Sequence, residues 1–127
     1  MKLNTQNFEN GMQVEGYGPG FFRVTGHIHH GPMIISPTSA MPWGGWDDPD
    51  PIVALAGQVD VLLVGTGADV APFPPAFRAL LTKHDLWADP MDTPAALRTY
   101  NVLLAEARRV ALAVLPVGQP NPPESGD

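Results

Sequence analysis

Three histidines, His27, His29 and His30, fall within four consecutive positions. In an extended segment His27 and His29 share a face, and two imidazoles on one face are half of a zinc site. No His-Glu-x-x-His string or adjacent carboxylate supplies the rest, so they read as strand histidines and no metal is expected. Asp47-Asp48-Pro49-Asp50 lacks the glycine and terminal Glu spacing of a calcium loop. The serines are Ser36, Ser39 and Ser125, none in a G-x-S-x-G string, and no catalytic residue is assigned. Gly65-Thr66-Gly67 follows an apolar run, where small residues let backbone N–H groups approach an anion; a tight turn needing positive φ is the other reading. The loop is neither G-x-G-x-x-G nor a Walker string, and no cofactor is expected.

A second set of polar residues stands downstream. Thr93 reads as the cap of a long helix, whose first N–H groups carry partial positive charge. Arg98 and Asn101 follow about one and two turns later. With Gly65, Thr66 and Gly67 they could wall a pocket for an anion or polar ligand. Alternatively, Arg98 pairs with Asp92 or Asp89 and Asn101 bonds a buried loop. Glu106, Arg108 and Arg109 mark a helix–strand junction: either a docking patch for an acidic partner or a salt bridge with arginine stems over apolar surface. Trp43 and Trp46, beside Gly44-Gly45, could anchor a partner or fold back as a lid, with one buried and one partly exposed.

The elements that must position these residues follow from patterning. Residues 21–25, 27–29 and 33–36 read as three short strands joined by glycine turns, an N-terminal β-meander. Residues 37–50 read as a long loop. Asp50-Pro51 reads as an N-cap followed by proline at the first helical position, with Gly57 ending a short helix. Residues 59–64, with Val61-Leu-Leu-Val64 unbroken, suit a strand covered on both faces. Pro74-Pro75 opens a helix with Phe77, Leu80 and Leu81 on one face, and residues 86–89 read as a short strand stopped by Pro90. A helix from Thr93 to about Arg108 buries Leu97, Tyr100, Leu104 and Ala107, and residues 110–115 form a buried strand. The fold class is α/β, a mixed sheet with helices packed on it.

Composition bounds the rest. The 127 residues make one domain, with the folded unit at 13–117, a loose N-terminus at 1–12 and a disordered tail at 118–127. Seven Lys and Arg against 13 Asp and Glu give a net charge of −6, which disfavours nucleic acid. There is no cysteine, which excludes disulfides, thiolate metal sites and a Cys nucleophile. No apolar run reaches the roughly 20 residues of a membrane span. The N-terminus has the features of neither a signal nor a transit peptide. The reading is a cytoplasmic protein, with peripheral attachment to a membrane complex left open.

Several ordered strings resemble one family: Gly16-Tyr-Gly, Gly20-Phe, Trp43, Val61-Leu-Leu-Val-Gly-Thr-Gly67, Met91-Asp-Thr-Pro-Ala-Ala96, Arg98-Thr-Tyr-Asn-Val-Leu103 and Glu106-Ala-Arg-Arg-Val-Ala-Leu-Ala113. They resemble the Mth-type domain of unknown function, the family of the mitochondrial assembly factor three of complex I and of an adipogenesis-associated Mth-domain protein. The resemblance implies a three-layer α/β domain around a mixed five-stranded sheet, and no agreed reaction or cofactor. Two functions are carried forward. The first is a non-enzymatic interaction or assembly module with a protein partner, acting through a patch near the sheet edge. The second is a small-molecule or anion-binding protein, an enzyme among the options, with its site at the Gly-Thr-Gly loop and the start of the long helix. The candidate site residues are Gly65, Thr66, Gly67, Thr93, Arg98, Asn101 and Arg109.

Overall fold

Side-chain alternation along the central strands creates two cores, and the two cores create the layers. A computed structural model describes residues 11–118. The chain runs β1 (Val14–Gly18), β2 (Phe21–Val24), β3 (His27–His30), β4 (Met33–Ser36), β5 (Ser39–Pro42), α1 (Asp50–Val53), β6 (Val61–Gly65), α2 (Pro75–Lys83), β7 (Pro90–Met91), α3 (Thr93–Ala105) and β8 (Val110–Val114). A 3-10 turn at Gly45–Asp47 precedes α1.

The central sheet has five strands in the order β5-β4-β8-β6-β7. β6 is parallel to β8 and β7, while β4 is antiparallel to β8 and β5. Val110, Leu112 and Val114 of β8 point into one core with Met33, Ile35 and Leu63. Ala111 and Ala113 point into the other with Ile34, Leu62 and Val64. This period of two fits a strand buried on both faces. The first core is closed by the antiparallel sheet β1-β2-β3, through Val14, Phe22 and Val24, and by Leu97, Tyr100 and Leu104 of α3. The second is closed by Ile52 of α1, Phe77 and Leu81 of α2, and an aromatic group of Trp43, Trp46, Phe73 and Phe77. The result is the expected three-layer arrangement. Trp43 is buried and Trp46 half-buried, the expected division.

Several details differ. The meander uses β1, β2 and β3, and β4 belongs to the central sheet; the chain leaves the small sheet at Gly31, where φ is +86°. The expected 37–50 loop contains β5, an edge strand whose Pro42 removes no ladder donor that the sheet needs. The short helix is capped by Pro49 without a side-chain bond, with Asp50 inside it. The expected strand at 86–89 is displaced to β7, which pairs only Val64↔Pro90 and Gly65↔Met91. α3 ends at Ala105 instead of Arg108, leaving Ala107 exposed. Met12, grouped with the loose N-terminus, donates its N–H to Pro37 O at 2.9 Å. Residues 1–10, and the expected 118–127 tail apart from Gly118, lie outside the described residues.

Candidate functional site

At the carboxyl end of β6, Gly65-Thr66-Gly67 meets the start of α3, as expected of neighbouring crossover elements. Thr93 does not cap the helix. Asp92 does, its Oδ1 accepting from Ala95 N at 2.8 Å, the usual role of a carboxylate at that position. Thr93 turns inward and is fully buried. Its hydroxyl accepts from Gly67 N at 2.9 Å and donates to Leu115 O at 2.7 Å. Its own N–H donates to Gly67 O at 2.7 Å, and Leu115 N donates to Gly65 O at 3.0 Å. One hydroxyl thus bridges the exits of β6 and β8. The contact requires glycine: a Cβ at Gly65 would lie 2.6 Å from Thr93 Oγ1 and 2.9 Å from Val114 Cγ1. The Thr66 hydroxyl donates to Asp69 O at 2.7 Å and accepts from Ala71 N at 3.0 Å. The polar atoms of this corner are committed to one another.

Asn101 lies two turns along α3 and grips β1 like a neighbouring strand. Its Oδ1 accepts from Val14 N at 3.0 Å and its Nδ2 donates to Val14 O at 2.8 Å. Beside it the Tyr100 hydroxyl donates to Met12 O at 2.6 Å, and burial pushes that phenol well above its ordinary range. Arg98 is exposed, makes no ion pair with Asp89 or Asp92, and borders a shallow groove of about 250 Å³ with Tyr17, Pro94 and Asn101.

Arg109 stands at the opposite end of the sheet, where β6 and β8 begin. Its guanidinium meets Asp60 at 2.7 Å (Nη2 to Oδ1) and 3.3 Å (Nε to Oδ2). The hydrogen bond to Arg109 and the charges of Arg109 and Arg108 hold the Asp60 carboxyl below its ordinary 3.8. Both side chains are open to solvent, so the pair adds little stability. The seven candidates therefore occupy three places. Gly65, Thr66, Gly67 and Thr93 form one corner, Arg98 and Asn101 line one side of α3, and Arg109 sits at the far end.

Sequence reasoning missed two features. Trp87, 82% exposed, stands over a cleft of about 300 Å³ between β6 and the segment leading into β7, lined by residues 61–63 and by Trp87, Ala88, Asp89 and Met91. Because β7 covers only Val64 and Gly65, residues 61–63 of β6 have no strand beside them on that side. The signal was a tryptophan between Asp85 and Asp89, three residues before Pro90, a poor candidate for burial. The second feature is a hollow of about 410 Å³ beside Arg108 and Arg109. His27 and His30 are exposed and His29 half-buried, and the described residues contain no group of three metal-ligating side chains. They also contain no helix long and apolar enough to cross a membrane.

A family model described as "Protein of unknown function (DUF498/DUF598)" matches residues 14–115. The chain belongs to this family. Within it, an uncharacterized protein of Rhodobacter capsulatus is 49% identical over 110 residues, covering 87% of this chain and 89% of that protein. Relatives named NADH dehydrogenase [ubiquinone] 1 alpha subcomplex assembly factor 3 are 29% identical in Danio rerio and 31% in Drosophila melanogaster, over 84% and 90% of this chain. The chain spans 65% and 63% of those two proteins' length. Among solved structures, an outer membrane protein from Bartonella henselae superposes with a TM-score of 0.74 at 34% identity, covering 84% of this chain and 96% of that one. A Mth938-like domain from Bordetella pertussis gives 0.71 at 29% identity over 94% of each chain. These superpositions show that both structures share the fold of this chain.

Proposed function

We propose that this DUF498/DUF598 domain is an interaction module that assists assembly of a membrane-associated complex, complex I by analogy with its named relatives. The observation that carries the reading is the similarity to assembly factor 3 proteins at 29% and 31% identity across nearly the whole domain. Trp87 supports the place of contact. A large aromatic left 82% exposed over an open sheet edge is the kind of residue that dominates binding energy when covered. The corner at Gly65, Thr66, Gly67 and Thr93 together with Asn101 holds the frame, and Arg98 and Arg109 are the candidate residues whose side chains face outward. Attachment to the complex is peripheral. A photo-crosslinking amino acid at position 87, introduced in cells of the source organism, tests the contact. Discrete adducts containing complex I subunits support the reading, and their absence at 87 with the protein folded and expressed overturns it.

A further inference from the structure

The hollow at the amino ends of β6 and β8 has no role in the assembly reading, yet at about 410 Å³ it lies directly beside Arg108 and Arg109. Pro37, Ala54, Leu55, Val59 and Val110 give it apolar surface. Ser36, Thr38, Gln58, Arg108 and Arg109 line it with polar groups. At about 410 Å³ it falls within the size range of small-molecule sites, and an apolar pocket with a few convergent polar groups is their usual construction. The charges at the rim are unequal. Arg109 is committed to Asp60, whereas Arg108 has no ion pair among the described residues. Both occur in a chain with 7 basic and 13 acidic residues, so two guanidiniums facing the single Asp60 carboxylate beside the hollow are a local exception to the charge of the molecule. Backbone geometry aims it. Ala107, at φ +61°, takes the left-handed conformation that closes α3, and the next residue is Arg108, whose N–H returns to Leu103 O at 3.0 Å. The turn fixes the start of the arginine stem at the rim.

We propose that this hollow binds a small aliphatic monocarboxylate, its chain against the apolar wall and its carboxylate on Arg108. A planar guanidinium accepts a carboxylate through two parallel hydrogen bonds. The Gln58 amide and Thr38 hydroxyl, which line the same hollow, supply further donors. Arg108 and Arg109 beside the Asp60 carboxylate leave one net positive charge at the hollow, which matches one carboxylate, and a dianion meets the remaining negative charge of the chain unneutralised.

Hexanoate is the probe, with hexanamide as its uncharged isostere, followed by amide chemical shifts of the full chain. The expected result is saturable shifts at residues 54–59 and 107–110 with hexanoate, and binding of hexanamide that is weaker by about tenfold. Arg108→Gln weakens hexanoate by a similar factor. Ala54→Phe fills the hollow without altering charge and abolishes the shifts, which keeps the test decisive if the arginine variant fails to fold. Absence of saturable shifts at millimolar hexanoate, equal binding of hexanamide, or undiminished binding to Ala54→Phe overturns the proposal. None of these outcomes bears on crosslinking at position 87.

Discussion

Thr93→Val is the perturbation that most directly probes the corner joining β6, α3 and β8. Valine matches threonine in shape and puts a methyl group in place of the hydroxyl, so the two hydrogen bonds are lost without a cavity. That hydroxyl accepts from Gly67 N at 2.9 Å and donates to Leu115 O at 2.7 Å, at a residue with no exposure. Without it, a buried N–H and a largely enclosed C=O lose their partners together. Each such loss costs about 1–3 kcal/mol, and because Leu115 is half-buried its carbonyl recovers part of the cost from water, so the sum is roughly 2–4 kcal/mol. For a domain of this size that lowers the thermal midpoint by roughly 6–15 °C. Thr93→Ser, which keeps both hydrogen bonds and loses one methyl, costs about 1 kcal/mol. Urea unfolding of the three proteins, with equal m-values as the two-state check, reads the difference. A valine variant within about 0.5 kcal/mol of wild type would refute the bridging role of the hydroxyl.

Other outcomes follow from the same geometry. Gly65→Ala forces a Cβ to 2.6 Å from Thr93 Oγ1 and 2.9 Å from Thr93 Cα, and denaturant titration should show a loss of about 1–3 kcal/mol. Asn101→Leu removes both bonds to Val14, and hydrogen exchange at the Val14 amide should quicken while that of β8 is unchanged. Ala107→Gly relieves a left-handed alanine and should stabilise by about 1 kcal/mol, with an unchanged unfolding midpoint counting against it. The Asp60 carboxyl lies below its ordinary 3.8 in the folded state, so its contribution is present above 3.8 and is lost as pH falls through the folded value. A carboxyl-resolved NMR titration should show that midpoint rising in Arg109→Gln; coincident midpoints would dismiss the pair.

What the residues made legible is physically uneven. The unbroken Val-Leu-Leu-Val run announced β6 because a strand buried on both faces needs no alternation of polarity. The end of α3 was hidden, because its αL residue is Ala107 instead of the usual glycine. Arg108 N to Leu103 O and Ala107 N to Leu104 O close a Schellman turn with no glycine to advertise it. β5, Ser-Ala-Met-Pro, carries no β-branched residue, and β1 contains two glycines; both take their form from pairing with a neighbour more than from local preference. At the site, sequence spacing correctly brought Gly67 beside Thr93. It could not show that the threonine points inward, because an Asp-Thr-Pro string offers two residues able to cap and Asp92 takes the role. Arg109, eight residues after Asn101 and read with Glu106 and Arg108 as part of the helix–strand junction, lies at the other end of the sheet from the Gly-Thr-Gly corner.

If the domain acts by contact at the β7 edge while a membrane complex is assembled, complex I depends on Trp87. Native-gel analysis of complex I in a strain lacking this gene, and carrying either the wild-type chain or Trp87→Ser, reads that dependence. Assembled complex I is expected to fall in the deletion strain and to be restored by the wild-type chain. The serine variant, present at normal level and folded, should fail to restore it. Normal complex I in the deletion strain, or full restoration by Trp87→Ser, would contradict that dependence.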